Sequence, residues 1–219
     1  MNMKKISLLF IAIVALLNTS WAQWGSISGE GPVVTKTLKI DRFDEIGLAV
    51  VGKVFISKGS TQKVTVEGQA NIIDNLETEV KDGEWSIKFD QKAKNYEPLI
   101  FRITVPEIEG LAVAGSGSII GEDDFNGMDR LDFSIAGSGD IEFSGSARKV
   151  SVSIAGNGDV DIADLKTEDC KVDIAGSGNC KIEVVESLSV SIAGSGDVTY
   201  KGSPRVSTSI AGSGRVKQM

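Results

Sequence analysis

The chain has 219 residues, a net charge of −7 and 25 glycines, and it contains no histidine. Without histidine it cannot form the Ser-His or Cys-His nucleophiles that many hydrolases use. Its acidic balance makes nucleic acids and anionic membrane surfaces poor partners.

Residues 1–22 are predicted to be a signal peptide. Lys4 and Lys5 precede an apolar segment from Ile6 to Leu17, and residues 20–22 form a small-x-small cleavage site. The apolar segment is too short for a permanent membrane anchor, and no later apolar run has the length of a transmembrane segment. We therefore expect an exported protein, located in the periplasm, on the cell surface or outside the cell.

The first part of the mature chain, residues 23–110, is predicted to be rich in β-strand. Its candidate strands are Val33–Ile40, Ile46–Ser57, Lys63–Gly68, Thr78–Lys81, Glu84–Phe89 and Leu99–Val105. Alternation of apolar and polar residues is typical of half-buried strands, and only Asn71–Leu76 indicates a helical turn. Because Leu48–Gly52 resembles Leu111–Gly115, we expect degenerate coils of the architecture described next, within a single domain from residue 23 to residue 219.

The second part, residues 111–219, repeats a phrase of Ala, Gly, Ser or Asn, and Gly. The six copies begin at Ala114, Ala136, Ala155, Ala175, Ala193 and Ala211, at steps of 18–22 residues. Alternating apolar residues flank each copy, as in Val150, Val152 and Ile154, which predicts a strand before each turn, a strand after it and a loop that returns to the next coil. This period suits one coil of a parallel β-helix, where each strand pairs with its equivalent in the next coil. The fold is therefore predicted to be all-β, a parallel β-helix (solenoid) whose corners are the repeated phrases.

The glycines of the phrase are predicted to shape the corner, because a tight bend requires positive φ or close backbone approach. The structural corner positions are Gly115, Gly137, Gly156, Gly176, Gly194 and Gly212. The residue after each of them is predicted to form a stacked column with a structural role. The column consists of Ser116, Ser138, Asn157, Ser177, Ser195 and Ser213.

A second column follows directly after each corner. It consists of Ser118, Asp140, Asp159, Asn179, Asp197 and Arg215. Stacked carboxylates repel one another, and a bound cation would relieve that repulsion, which makes Asp140, Asp159 and Asp197 weak calcium-binding candidates. The alternative is that each of these side chains bonds to its own backbone or faces water. No catalytic residue and no cofactor site is predicted.

Cys170 and Cys180 are the only cysteines, and both are predicted to point into the solenoid across one corner. Export permits a disulfide. Residues on opposing walls can also lie too far apart for the bond. A disulfide and two buried free thiols therefore remain alternatives, and a metal site built from two cysteines is not expected.

The phrase series, the segment Leu188–Pro204 and the upstream segments Phe55–Gly59 and Val64–Glu67 resemble the bacterial family called "putative auto-transporter adhesin, head GIN domain". The resemblance extends from about Phe43 to Val216. It implies an all-β, β-helical and exported protein with an adhesive role, and it supplies no catalytic residues.

The sequence therefore predicts an exported, non-enzymatic adhesin-like protein that recognises a surface ligand, either a glycan or a protein. One alternative is a carbohydrate-active β-helix enzyme, a lyase or hydrolase, which would need paired carboxylates or a calcium site on one face. Another is a periplasmic binding module or envelope scaffold. We also expect a homo-oligomer, because only Arg215 and Lys217 protect the strand edge of the last coil.

Overall fold

The computed structural model describes residues 25–219, and the predicted signal peptide at residues 1–22 lies outside this range. The first part of the described chain contains β1 (Ile27–Ser28), β2 (Val33–Leu38), β3 (Glu45–Leu48), β4 (Gly52–Lys58), β5 (Lys63–Gln69), α1 (Ala70–Ile73), β6 (Val80–Lys81), β7 (Glu84–Ile87), β8 (Ala93–Lys94) and β9 (Leu99–Val105). The second part contains β10 (Gly110–Gly115), β11 (Ser118–Gly137), β12 (Asp140–Gly156), β13 (Asp159–Gly176), β14 (Cys180–Gly194), β15 (Asp197–Lys201), β16 (Arg205–Gly212) and β17 (Arg215–Gln218). None of the helices formed by residues 25–219 is long and apolar enough to cross a membrane.

The repeats stack as parallel coils in the predicted register. The first corner glycine of each coil pairs with its equivalent in the next, so that Gly137 pairs with Gly156, Gly156 with Gly176 and Gly176 with Gly194. The result is an all-β solenoid of about five turns. The fold class predicted from the repeats is therefore confirmed.

Each coil has two flat sides that meet at the corner. The strand segments before the corner form one sheet, whose outer surface we call the pre-corner face. Those after the corner form a second sheet, whose outer surface we call the post-corner face. A third side, which we call the return side, connects the end of one coil to the start of the next. The sequence predicts a loop on this side, and for β12 that prediction was wrong. In β12 the chain continues as a strand through a register shift between Glu142 and Gly145, because a bulge bends a strand without ending its pairing.

The inward side chains form continuous apolar columns. Ile135, Ile154, Ile174 and Ile192 occupy equivalent positions, and each is no more than 2% exposed. Phe143 packs against two other buried rings, with centroid distances of 4.9 Å to Phe125 and 5.8 Å to Phe133. Burial of this kind contributes about 25 cal/mol per Å² of apolar surface.

The N-terminal part continues the same two sheets. β3 and β7 extend the pre-corner sheet, while β4 and β9 extend the post-corner sheet. The predicted strand Ile46–Ser57 is in fact β3 and β4 with a corner between them. The expected alignment of Leu48 with Leu111 was wrong by two residues, since Leu48 pairs with Val113. This corner differs from the others because Val50 occupies the position of the first glycine, and only the second glycine has an equivalent, Gly52.

The N-terminal end of the core is closed by elements that the solenoid period does not produce. β5 pairs antiparallel with β9 and with β2, and a hairpin joins β6 to β7. Trp85 is fully buried between Phe43 and Phe101, with ring centroids 5.6 Å and 6.1 Å away. Its Nε1–H donates a hydrogen bond to the carbonyl of Glu77 at 3.1 Å. One cluster of buried apolar residues extends through both parts, and we propose on this basis that residues 23–219 form a single domain.

At the C-terminal end of the core, no element within residues 25–219 covers the last coil. All eight residues of β16 are exposed. Ile210 is 41% exposed, whereas its equivalent Ile192 one coil earlier is 1% exposed.

Candidate functional site

The corners fix the orientation of the post-corner face. Gly194 has a φ of 141°, and a Cβ atom there would lie 2.1 Å from the carbonyl oxygen of Gly176. Gly196, the second glycine of the same phrase, lacks positive φ, but a Cβ on it would lie 2.1 Å from the oxygen of Gly178. The first glycine of this phrase is therefore needed for its positive φ, and the second is needed because a side chain would overlap the preceding coil. At both positions the absence of a Cβ atom allows neighbouring coils to come into close contact.

The Ser and Asn residues at the corners are exposed along the whole stack. The backbone N–H of Ser195 donates to the carbonyl of Gly176 at 2.8 Å, and the N–H groups of Ser138, Asn157 and Ser177 make equivalent bonds to the preceding coil. The main chain at this position thus joins each corner to the previous one.

The column that follows the corners is a hydrogen-bonded ladder, which we call the ladder column. The backbone N–H of Asn179 and its Nδ2 both donate to Asp159 Oδ1 at 2.9 Å. The N–H of Asp197 donates to Asn179 Oδ1 at 3.0 Å, and the N–H of Arg215 donates to Asp197 Oδ1 at 3.0 Å. From Asp140 to Asp197, each side chain therefore accepts a hydrogen bond from the backbone N–H of its equivalent in the next coil, and it holds both coils in register.

A parallel row lies two residues further along each strand. This second row consists of Ile120, Glu142, Asp161, Lys181, Thr199 and Lys217. Lys181 Nζ lies 2.7 Å from Asp161 Oδ2, and this hydrogen bond raises the pKa of the lysine. The ladder column and the second row together line a depression of about 640 Å³ that extends from β11 to β15.

An apolar patch borders the N-terminal end of this depression. Ile120 pairs with Phe55 on β4, and Ile100 on β9 pairs with Lys53, two residues before Phe55. The three apolar side chains point outward and are half-buried. The guanidinium of Arg102 lies 5.0 Å from the centre of the Phe55 ring, a cation–π distance. The post-corner face thus joins an apolar patch to two charged rows.

The charges of the post-corner face change sign along the solenoid axis. Asp140, Glu142 and Asp159 lie toward the N-terminal coils, whereas Arg215 lies at the last coil. The hydrogen bond from the Arg215 guanidinium, 3.1 Å from Asp197 Oδ2, lowers the pKa of that carboxyl. Asp197 is therefore held in its ionised form.

The family model of the "putative auto-transporter adhesin, head GIN domain" matches residues 42–204. The chain belongs to this family. A comparison with curated proteins gives no match.

Solved structures share the fold of this head GIN domain. A "putative adhesin" from Bacteroides fragilis is 22% identical with a TM-score of 0.71, and the match covers 89% of this chain and 100% of the other. A "putative lipid binding protein" from Parabacteroides distasonis is 23% identical with a TM-score of 0.61 over the same shares. A "putative adhesin" from Parabacteroides merdae is 17% identical with a TM-score of 0.62, covering 89% of this chain and 99% of the other. At these identities the likeness establishes the fold.

The three calcium-binding candidates of the head GIN domain lie in one column but on separate coils. Asn179 separates Asp159 from Asp197, and the oxygens nearest the backbone accept the ladder hydrogen bonds. Within residues 25–219, no group of three or more acidic or cysteine side chains is close enough to hold a metal ion. The side chains of the column thus bind backbone N–H groups of the next coil.

Cys170 and Cys180 are both buried and carry free thiols. Burial raises the pKa of each thiol well above its usual value, and the proximity of Cys180 raises that of Cys170 further. The thiolate, which is the reactive form, is therefore suppressed at both positions. The two residues belong to the apolar columns of the core.

The sequence analysis does not predict one cluster of acidic side chains. On the pre-corner face, Glu45 lies beside Glu84 of the paired strand and near Asp44. Burial, followed by the charges of Glu84 and Asp44, raises the pKa of Glu45 to about 7. The sequence gives no local sign of this cluster, because Glu45 and Glu84 come together only through the pairing of β3 with β7, two strands that lie far apart in the chain.

Proposed function

We propose that the mature chain is an exported, non-enzymatic protein that attaches to a surface ligand through the post-corner face. The proposal rests mainly on the depression of about 640 Å³ on this face, where two rows of polar side chains meet an outward apolar patch. Membership of a family described as adhesins supports the adhesive role. The predicted signal peptide supports export.

The ladder column makes this face suitable for recognition. Its side chains are fixed by bonds to the next coil, so that a ligand meets a rigid surface with little loss of side-chain freedom on binding. The second row stands beside the ladder and presents carboxylate, ammonium and hydroxyl groups at the strand spacing of about 4.8 Å. A glycan or an extended protein segment would find hydrogen-bond partners at regular intervals and an apolar contact at Phe55 and Ile120.

The same geometry argues against catalysis at this face. Asp159 and Asp197 accept hydrogen bonds from backbone N–H groups of the next coil, and Asp197 also pairs with Arg215. A general acid must hold a proton near neutral pH. A carboxylate that accepts hydrogen bonds from N–H groups is stabilised in its charged form instead.

A matched pair of substitutions tests which face binds. Thr199→Lys places a charge in the depression, and Ser191→Lys places the same charge on the pre-corner face of the same coil. We expect Thr199→Lys to reduce binding to a panel of immobilised glycans and extracellular proteins by about tenfold or more, which is about 1.4 kcal/mol. Ser191→Lys should bind as the unmodified protein does. Loss of binding in Ser191→Lys alone would assign recognition to the pre-corner face.

Cell fractionation tests export separately from binding. Recovery of the processed chain in the periplasm with no surface exposure would favour the envelope-scaffold alternative. Release of sugars from acidic polysaccharides by the purified protein would favour an enzyme.

One observation supports the enzyme as a second candidate. Glu45, whose pKa is raised to about 7, lies beside Glu84 on the paired strand, so that a carboxyl able to hold a proton near neutral pH stands next to a second carboxyl group. Glycosidases use such pairs as acid and base. The side chain of Glu45 lies over Gly110, on the face opposite the depression. Any polysaccharide cleavage by this pair should disappear in Glu45→Gln.

A further inference from the structure

The C-terminal end of the solenoid has an unpaired strand edge. Within residues 25–219, β16 pairs only with β14, and β17 pairs only with β15. The side chains that would form the next core layer are open to solvent, with Val206 40% and Ile210 41% exposed. In the coil below, the equivalent Leu188 and Ile192 are each 1% exposed. The end therefore offers both backbone hydrogen-bonding groups and apolar surface to one more strand.

This end is also basic, in a chain whose net charge is −7. Residues 198–219 contain four cationic side chains, Lys201, Arg205, Arg215 and Lys217, and no acidic residue. Lys201 is paired with Asp164 at 3.0 Å, and Arg215 with Asp197 at 3.1 Å. Among the described residues, Arg205 and Lys217 lie within ion-pair distance of no carboxylate. Two unpaired cationic side chains thus lie at the open edge, in a segment that contains no acidic side chain.

We propose that this end binds an acidic, extended segment of a partner protein, which adds a strand to β16. Strand addition gives affinity through main-chain hydrogen bonds and specificity through alternate side chains. Apolar side chains of the added strand would cover Val206 and Ile210, while acidic side chains between them would face Arg205. If the segment continues past the corner, its next acidic side chain lies above Arg215, as Asp197 lies below it.

The charges favour this occupant over a second copy. Two copies joined through this end would bring Arg205 and Lys217 of each chain together, and like charges across a contact oppose association. A second copy joined head to tail would meet the closed N-terminal end, where the hairpin of β6 and β7 leaves only a two-residue outer strand. An acidic strand would pair with the backbone of the open edge and would also neutralise its positive charge.

Two labelled peptides of opposite charge test the proposal on the purified protein. The first is Glu-Val-Glu-Val-Glu-Ile-Glu, and the second replaces every glutamate with lysine while keeping the apolar residues. We expect the acidic peptide to bind at least about tenfold more tightly by fluorescence anisotropy, and its binding to weaken as salt screens the charges.

A charge-reversed variant, Arg205→Glu with Lys217→Glu, supplies the matched control. Both side chains are exposed or peripheral, and circular dichroism checks that the variant remains folded. The variant should prefer the lysine peptide. Equal binding of both peptides, or an acidic-peptide affinity unchanged in the variant, would overturn the proposal. A concentration-dependent dimer of the unmodified protein that the variant loses would overturn it as well, because the occupant would then be a second copy.

Discussion

The regular coils and the N-terminal part bury one continuous core by different means. From β10 to β17 every strand pairs in parallel with its equivalent one coil away, and four residues are repeated at every corner. In residues 25–110 the same two sheets continue, but antiparallel strands, a hairpin and α1 replace the repeat. Repetition extends a solenoid, whereas ending one requires elements that break the repeat. The N-terminal end is closed in this way and the C-terminal end is not.

Gly194→Val is the substitution expected to damage the coils most. Its positive φ costs a branched residue about 1–3 kcal/mol, and the overlap with the Gly176 carbonyl adds strain of about 1–3 kcal/mol. We expect a large fall in the free energy of unfolding, measured by chemical denaturation. The adjacent Ser195→Ala is the control, and it should cost no more than about 1 kcal/mol because Ser195 bonds to the corner through its backbone. Equal destabilisation by both substitutions would show that the corner is not under this constraint.

A matched pair of isoleucines tests the difference between a covered and an open coil. Ile192→Ala removes a side chain that is 1% exposed and should destabilise the fold by about 2–5 kcal/mol. Ile210→Ala removes the same atoms at the same register position one coil later, where the residue is 41% exposed. We expect a cost below about 1 kcal/mol, because little packing is lost. Similar costs for the two variants would mean that the last coil is covered in solution.

The coils are predictable from sequence and the N-terminal closure is not, for a physical reason. In the coils, the alternation of apolar residues and the glycine phrases are local signals, and stacking simply repeats them. The corner between β3 and β4 lacks the first glycine of the phrase, so that the two strands are predicted as one. The antiparallel pairing of β2 with β5 leaves no local pattern at all. The short helix at Ala70–Ile73 falls close to the predicted turn.

In the candidate site, too, one part is predictable from the sequence and another part is not. The positions of the ladder column follow from the corner spacing, but its bonds do not, because they join a side chain to the backbone of the next coil. Sequence reasoning assigned Asp159 to cation binding, to its own backbone or to solvent, and the structure shows it accepting two hydrogen bonds from Asn179 of the next coil. Phe55 and Ile100 become neighbours of the depression only when β4 and β9 join the post-corner sheet.

Glu45, which lies in the N-terminal part, makes the stability of the fold depend on pH. Its pKa in the folded chain is about 7, whereas the ordinary pKa of a glutamate is 4.5, so the folded state holds this proton more tightly than the unfolded state does. Stability is therefore greatest below about pH 4.5 with respect to this group, and it falls as pH rises through 7. We expect Glu45→Gln to remove that fall and to melt at a higher temperature than the unmodified protein at pH 8. Glu168→Gln, on the exposed return side, is the control and should leave the pH profile unchanged.

Calcium binding to the ladder column is the smallest effect that we expect. Asp140, Asp159 and Asp197 lie on separate coils, and their ladder oxygens accept hydrogen bonds that a cation would have to displace. We expect calorimetry to give a dissociation constant of about 1 mM or weaker, in the range of the weakest extracellular calcium sites. Asp159→Ala should abolish the remaining heat, whereas Asp173→Ala on the pre-corner face should preserve it. A nanomolar affinity, or one that Asp159→Ala leaves unchanged, would contradict this assignment. The ladder would then bind the cation without Asp159, and the depression would be a metal site that the hydrogen bonds between coils do not reveal.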